Sequence, residues 1–144
     1  MTRRMLLALP FALTLRADAA KEAWDLLSDA ASALFEGDAP GFLSYFDPGM
    51  PGYERLRVDA TALAREWEPR STIELVANEG DERTREIQAD WQLAFVTLQD
   101  PTASPRIAST RREERVEIRV VKTGKRWRIE SFKPEGFFAP PGSK

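Results

Sequence analysis

The spacing of apolar residues in the early part of the chain follows a helical period. Between Lys21 and Phe35 apolar side chains recur every three or four residues, which predicts an amphipathic helix that ends at Gly37. Asp38 stands where it can cap a short second helix, and Pro40 is acceptable in the first turn of that helix. The pattern therefore predicts two consecutive helices separated by a glycine.

A third helical stripe runs from Tyr53 to Trp67, and Pro69 is expected to stop it. Beyond this proline the apolar residues recur with a period of two. Four runs alternate between apolar and polar residues and predict strands, at 72–77, 86–95, 111–121 and 126–131. The residues between the last two runs, Thr123-Gly124-Lys125, are typical of a tight hairpin turn, and 101–105 is predicted to be a loop.

Each predicted strand is apolar on one side only, so one face of the sheet should be covered while the other meets solvent. Helices gathered on the apolar side of antiparallel strands form a two-layer α+β domain. We therefore predict an α+β fold in which three N-terminal helices pack on an antiparallel sheet of about four strands. Trp91 and Trp127 are expected to face the helices.

The N-terminal residues 1–19 have the three-part layout of a secretory signal peptide. Arg3 and Arg4 provide a positive start, and 5–15 is an uncharged apolar run that is too short to span a bilayer. Ala17-Asp18-Ala19 then matches a signal-peptidase cleavage pattern. The sequence therefore predicts export.

Cleavage is expected after Ala19, which leaves a single domain at 20–144 with no stable membrane anchor. The paired arginines also fit a twin-arginine signal, so the general secretory route and the twin-arginine route both remain open. Either route delivers the domain to the periplasm or to the cell exterior. The alternative is an uncleaved N-terminal helix or anchor, which Pro10 disfavours because it would kink a helix.

Composition narrows the chemistry that the domain can support. The sequence contains no cysteine and no histidine, which excludes disulfides, cysteine nucleophiles, Ser-His-Asp triads and the commonest zinc ligand. The formal net charge of −2 lacks the positive excess that binding to nucleic-acid phosphates requires. We therefore expect no metal, no cofactor and no nucleic-acid partner, and consider a small apolar molecule or a protein as the partner.

Several short motifs resemble the nuclear-transport-factor-2-like superfamily, including its SnoaL-like members. They are Leu34-Phe35, Gly37-Asp38, Asp90-Trp91, and Trp127-Arg128-Ile129 followed by Phe132 and Pro134. The resemblance covers 21–134 and implies a cone, in which a curved antiparallel sheet wraps around the helices and leaves a cavity between them. Catalytic members, such as ketosteroid isomerases, scytalone dehydratase and polyketide cyclases, usually place an Asp in that cavity, often with a His or a Tyr. This chain has no histidine, and its first helix carries no Tyr on its apolar stripe.

Eight residues are candidates for a ligand pocket in such a cone: Trp24, Tyr45, Phe46, Tyr53, Trp67, Trp91, Arg111 and Trp127. Further apolar residues are expected to complete the inner wall: Leu27, Phe42, Leu63, Leu93 and Ile129. Arg111 faces inward together with Ser109 if Ile107 does, and an inward arginine can hold a carboxylate through a bidentate contact. A register slip at a bulge is the alternative for this arginine. Catalytic residues are not assigned.

Alternation places Asp90 on the outer face with Gln88 and Gln92, where cross-strand charge pairing is the expected role. Asp59 lies off the apolar stripe of the third helix and is expected to be solvated. The charged outer face favours a monomer or a weak dimer.

Two functional hypotheses follow. The first is an exported non-catalytic domain that binds a small apolar ligand or a protein partner through a cone-shaped cavity. The second is an isomerase-, dehydratase- or cyclase-type enzyme that uses an inward carboxylate and a tyrosine without histidine.

Overall fold

The computed structural model describes residues 2–98 and 110–142 of the chain. Three helices precede four strands, as predicted: α1 (Thr2–Phe35), α2 (Ala39–Leu43), α3 (Tyr53–Glu66), β1 (Trp67–Gly80), β2 (Thr84–Thr97), β3 (Thr110–Thr123) and β4 (Arg126–Lys133). Each strand pairs antiparallel with the next, so the spatial order of the sheet equals the order along the chain. The helices pack on the sheet, and the α+β prediction is confirmed.

The first helix is much longer than the predicted 21–35. It begins at Thr2 and passes through Pro10, so the predicted signal segment is helical apart from Met1, which lies outside the described residues. Leucine and alanine are strong helix formers, and the apolar run therefore continues the helix of the domain instead of ending before it. Within the described part of the chain, no helix combines the length and apolarity needed to cross a bilayer.

Among the α1 side chains that the structure describes, which start at Leu15, burial begins at the last residue of the predicted signal peptide. The side chains from Leu15 to Asp18 are exposed, whereas Ala19 is buried at 4% exposure and belongs to the core. Ala23, Leu27 and the rest of the apolar stripe follow it into the core. Removal of the segment before Ala20 stays a prediction.

The second helix has the predicted cap. The Asp38 carboxylate accepts a hydrogen bond from the Gly41 N–H at 2.9 Å, and Pro40 occupies the first turn, where its missing N–H costs nothing. After α2 the backbone of 45–47 lies alongside β4: the Tyr45 carbonyl accepts from the Ile129 N–H, and the Asp47 N–H donates to the Ile129 carbonyl, both at 2.8 Å. The connection between α2 and α3 is thereby held against the edge of the sheet.

The first strand begins earlier than predicted. It includes Pro69, because β1 is an edge strand and an edge position can lack an N–H donor. A bulge at Val76 shifts the register between Leu75 and Ala77. The predicted alternation fails there: Leu75 is 45% exposed instead of inward, and Asn78 comes to face α1 and donates to the Ala20 carbonyl at 2.9 Å.

The core lies between the helices and the inner face of the sheet. Every second residue of β2 from Ile87 to Phe95 is buried, in agreement with the predicted strand faces. Most of the predicted inner wall is buried as well: Leu27, Phe42, Phe46, Leu63, Trp91, Leu93, Trp127 and Ile129. Trp24 and Trp67 are only partly buried and pack against this core from its rim.

Candidate functional site

Six aromatic side chains fill the space between the sheet and the helices where the cavity was expected. This aromatic cluster consists of Phe42, Phe46, Trp91, Phe132, Phe137 and Phe138. The ring of Trp91 packs against Phe132, Phe137 and Phe138, with centroid distances of 5.8, 5.9 and 5.5 Å. Trp91 is 1% exposed, and its indole N–H donates to Ser71 Oγ at 3.0 Å. The predicted inward position of Trp91 is confirmed, but its ring packs against other aromatic rings where an open cavity was expected.

Two rings of the aromatic cluster come from residues beyond the last strand. We call 134–142 the C-terminal segment. Phe137 and Phe138 are each 2% exposed, and the Ala139 N–H closes a turn on the Gly136 carbonyl at 3.0 Å. Gly136 has φ +81°, a left-handed conformation that strains an L-residue with a side chain, so this turn favours glycine. The interior is therefore closed by the protein's own C-terminal segment.

Arg112 ties the C-terminal segment to the sheet. Its Nη1 donates to the carbonyls of Phe137 and Ala139, the latter at 2.8 Å, and its guanidinium carbon lies 5.0 Å from the centroid of Phe95. Burial lowers the pKa of the Arg112 guanidinium, and the nearby carboxylates of Asp59 and Glu114 oppose that shift. A half-buried cation thus lies between the sheet and the C-terminal segment.

The inward arginine is Arg112 and not the predicted Arg111. Arg111 is exposed and pairs across the sheet with Ala94, on the outer face, whereas Arg112 pairs with the buried Leu93. Val116 of β3 is buried, and Arg112 lies four residues before it. Because side chains alternate along a strand, both lie on the inner face of the sheet. The prediction started instead from Ile107, which together with Ser109 and the predicted loop 101–105 lies outside the described residues.

A small cavity of about 20 Å³ remains beside the aromatic cluster. Its lining includes Leu56, Asp59, Phe132 and Phe138. The side chain of Asp59 is only 14% exposed and its Oδ2 lies 3.5 Å from Arg55 Nε, so the expectation of a solvated carboxylate was wrong. The helical stripe alone did not reveal this, because the C-terminal segment covers a position that an isolated α3 would leave in solvent.

The other predicted pocket residues are dispersed. Tyr53 lines a surface hollow of about 640 Å³ between α2, α3 and β4. Trp24 lines a groove of about 550 Å³ between α1 and β1. Trp67 packs edge-on against Phe95 with 6.2 Å between ring centroids, and Tyr45 packs at the margin of the core. Of the eight candidates, the structure brings only Phe46 and Trp91 into the aromatic cluster.

The outer face of the sheet carries paired charges, as predicted. Arg115 donates to both carboxylate oxygens of Asp90, at 2.9 and 3.1 Å, and this pairing lowers the pKa of Asp90. Arg119 Nε lies 2.6 Å from Glu86 Oε1 on the same face. These carboxylates therefore lie on the opposite side of the sheet from the aromatic cluster. Among the described residues, no group of acidic side chains could hold a metal ion.

Comparison with solved structures identifies the fold. A protein of unknown function from Mycobacterium tuberculosis superposes with a TM-score of 0.59 at 17% identity, over 76% of this chain and 66% of that one. Aln2 from a Streptomyces species gives 0.57 at 18% identity, over 77% and 85%. A designed NTF2-like protein carrying five substitutions gives 0.54 at 16% identity, over 78% and 95%. The chain has the nuclear-transport-factor-2-like fold.

The fold alone does not indicate the function, because this scaffold serves many unrelated roles. The function has to be inferred from the site. No family model and no curated protein matches the sequence. The aligned region spans just under two thirds of the mycobacterial chain, so that protein contains parts with no counterpart here. The site of this chain consists of an aromatic interior, a C-terminal segment that closes it, and Arg112, which bonds to that segment.

Proposed function

We propose that this protein is a non-catalytic binding domain that takes a small apolar ligand into the interior of its cone. The observation that carries the proposal is that Phe137 and Phe138 fill this interior from the C-terminal segment and not from the sheet or the helices. Phe137 and Phe138 lie outside the helices and strands, so their rings can move out of the interior without breaking the hydrogen bonds between the strands. A ligand of similar size and apolarity could then take their place, which is the usual character of small-molecule sites.

The described polar groups support binding better than turnover. Two carboxylates line the small cavity: Asp59, which is paired with Arg55, and the exposed Glu135. The two tyrosines lie elsewhere, in the hollow beside β4 and at the margin of the core. The combination of an inward carboxylate with a tyrosine, which the enzyme hypothesis requires, is therefore not assembled among these residues.

A thermal-shift screen of steroid-like, polyketide-like and fatty-acid compounds tests the proposal. Binding should raise the melting temperature, and replacing both Phe137 and Phe138 with alanine should enlarge the shift by emptying the space that the ligand enters. The exposed Phe35→Ala on α1 is the matched control and should leave the shift unchanged. A flat response from the parent chain and from the double variant would reject the ligand and favour the protein partner.

One observation keeps the enzyme hypothesis as a second candidate, namely the half-buried Asp59 beside the small cavity. Mass spectrometry of each bound compound after incubation would detect an isomerised, dehydrated or cyclised product. Product formation that Asp59→Asn abolishes, while binding persists, would establish catalysis. Recovery of every compound unchanged would leave the binding role.

We further propose export to the periplasm or the cell exterior, by the general secretory or the twin-arginine route. The support is the charge and cleavage pattern of 1–19, together with the exposure of the described side chains at 15–18, just before the buried Ala19. N-terminal sequencing of the native protein should begin at Ala20. Replacing Arg3 and Arg4 with lysine separates the routes, because only twin-arginine export should collapse. An intact Met1 on cytoplasmic protein would overturn the proposal.

A further inference from the structure

Arg112 is a half-buried cation whose hydrogen-bonding partners are neutral. Its guanidinium donates to two backbone carbonyls of the C-terminal segment and lies over the ring of Phe95. Among the described residues no carboxylate lies within ion-pairing distance of it, although Asp59 and Glu114 are near enough to act on its charge. By contrast, Arg115 and Arg119 on the outer face both bond to carboxylates.

We propose that the ligand of the cone is an apolar aromatic monocarboxylate, whose carboxylate replaces the carbonyls of Phe137 and Ala139 on Arg112. This inference rests on the proposed function and names the chemical class of its ligand. The ring system of the ligand takes the place of Phe137 and Phe138 in the aromatic cluster. In the protein without ligand the C-terminal segment fills this site, and the ligand displaces it on binding.

The geometry suits this exchange because both carbonyls belong to one short segment. When the C-terminal segment moves away, Arg112 Nη1 loses both carbonyl partners together. A single carboxylate can then accept from two N–H groups of the guanidinium fork in their place. Hydrogen bonds between a guanidinium and a carboxylate are shorter and stronger than those to a neutral carbonyl. The ligand therefore improves the polar contact of Arg112 while it conserves the apolar contacts of the interior.

The charges around Arg112 limit the ligand to one carboxylate. Asp59 on α3 and Glu114 on β3 both act on the Arg112 guanidinium. A second carboxylate on the ligand would meet these acidic groups, and the neighbouring Arg55 already carries the ion pair with Asp59. Unfavourable charge contacts of this kind exclude competing ligands.

The test compares 2-naphthoate with its uncharged analogue 2-naphthamide on the full chain. Calorimetric titration should show naphthoate binding about tenfold or more tighter, the effect expected when a neutral hydrogen bond becomes charge-assisted. Naphthalene-2,6-dicarboxylate should bind more weakly than naphthoate. Hydrogen exchange supplies an independent readout: naphthoate should speed exchange of the Ala139 N–H, which is bonded to the Gly136 carbonyl in the closed segment.

Arg111 and Arg112 form a matched pair of adjacent arginines on opposite faces of the sheet. Arg112→Gln should abolish the preference for naphthoate over naphthamide, with naphthamide bound at least as tightly as before because the C-terminal segment is held less firmly. Arg112→Lys should retain part of the preference, because it keeps the charge without the fork. Arg111→Gln should retain all of it. Circular dichroism and thermal unfolding confirm that each variant is folded.

The outcomes separate the two proposals. Equal binding of naphthoate and naphthamide by the parent chain would overturn the carboxylate inference and leave the apolar-ligand function standing. Equal loss of preference in Arg111→Gln and Arg112→Gln would overturn it too. If neither compound binds the parent chain or the variant with alanine at positions 137 and 138, the inference fails. The proposed function fails with it only if the thermal-shift screen is flat as well.

Discussion

The indole N–H of Trp127 donates to Glu22 Oε1 at 2.8 Å, and the same oxygen accepts from Lys122 Nζ at 3.1 Å. One carboxylate on α1 thereby joins the first helix to both strands of the last hairpin. These two hydrogen bonds hold the pKa of Glu22 below its ordinary value.

Glu22→Gln should flatten the acid dependence of stability. Because folding lowers the pKa of Glu22, this carboxylate stabilises the native state above its ordinary pKa of 4.5 and loses that effect as the pH falls. Thermal unfolding of the parent chain should therefore show a steeper loss of stability between about pH 5 and pH 3 than the variant does. The exposed Asp29→Asn on the same helix should follow the parent chain. Parallel curves for the parent and Glu22→Gln would contradict the prediction.

Ser71→Ala should leave the buried indole N–H of Trp91 without its acceptor at 3.0 Å. We expect the free energy of unfolding to fall by about 1–3 kcal/mol, the cost of an unsatisfied buried donor. Chemical denaturation measures this loss. The neighbouring Thr72→Ala, at an exposed position of the same strand, should cost less. Equal losses in the two variants would mean that the hydrogen bond contributes nothing.

Gly80→Ala should destabilise the protein more than Gly124→Ala. Both glycines have positive φ, and a left-handed conformation costs an L-residue about 1–2 kcal/mol at either position. At Gly80 the added Cβ would also lie 2.1 Å from the backbone oxygen of Thr84, whereas at Gly124 no atom lies within 4 Å. Melting temperatures of the two variants decide the order. The reverse order would mean that the β1–β2 turn relaxes freely.

Asp90 and Arg115 should contribute little to stability. The pair lies on the solvated face of the sheet, with side chains 33% and 58% exposed. A double-mutant cycle of Asp90→Asn and Arg115→Gln should give a coupling free energy of about 0.2–1 kcal/mol, weakened by added salt. Ligand affinity should be unchanged in both single variants. A change in affinity would place this carboxylate in the binding site and contradict the assignment of the two sheet faces.

The sequence predicted the fold well because most of its elements carry an undisturbed period. The stripe of α1 and the alternation of β2 each follow one rule over many residues, so their inward faces could be read directly. The α2 cap at Asp38 has a local chemical signature that needs no tertiary context. The same applies to the hairpin at Gly124.

The site was harder to predict because it depends on register and on the C-terminal segment. The bulge at Val76 inverts the alternation of β1, and a one-residue error in β3 exchanges Arg111 for Arg112. Phe137 and Phe138 follow the last strand without any periodic signal, so nothing in the pattern placed them in the interior. The alternation from Val116 back to Arg112 was the one available signal for the inward arginine.

Asp59 illustrates a third limit of sequence reasoning. Its position on α3 is correct for a solvent-facing charge, and only the covering C-terminal segment makes it half-buried. Arg85 on β2 is also buried, at 5% exposure, and its guanidinium bonds to the side chain and the carbonyl of Asn78 on the neighbouring β1. Burial of a charged residue by a distant segment leaves no trace in local periodicity.

The course of α1 has a consequence for the timing of the proposed signal-peptide cleavage. The helix crosses the predicted cleavage bond without a break, Ala19 is buried, and the Ala20 carbonyl accepts a hydrogen bond from Asn78. A peptidase that acts on extended backbone reaches this bond only while that turn of α1 is unwound. Folding and processing therefore compete for the same few residues. A chain that crosses the membrane unfolded meets the peptidase before the turn exists, whereas a chain that folds first must reopen it.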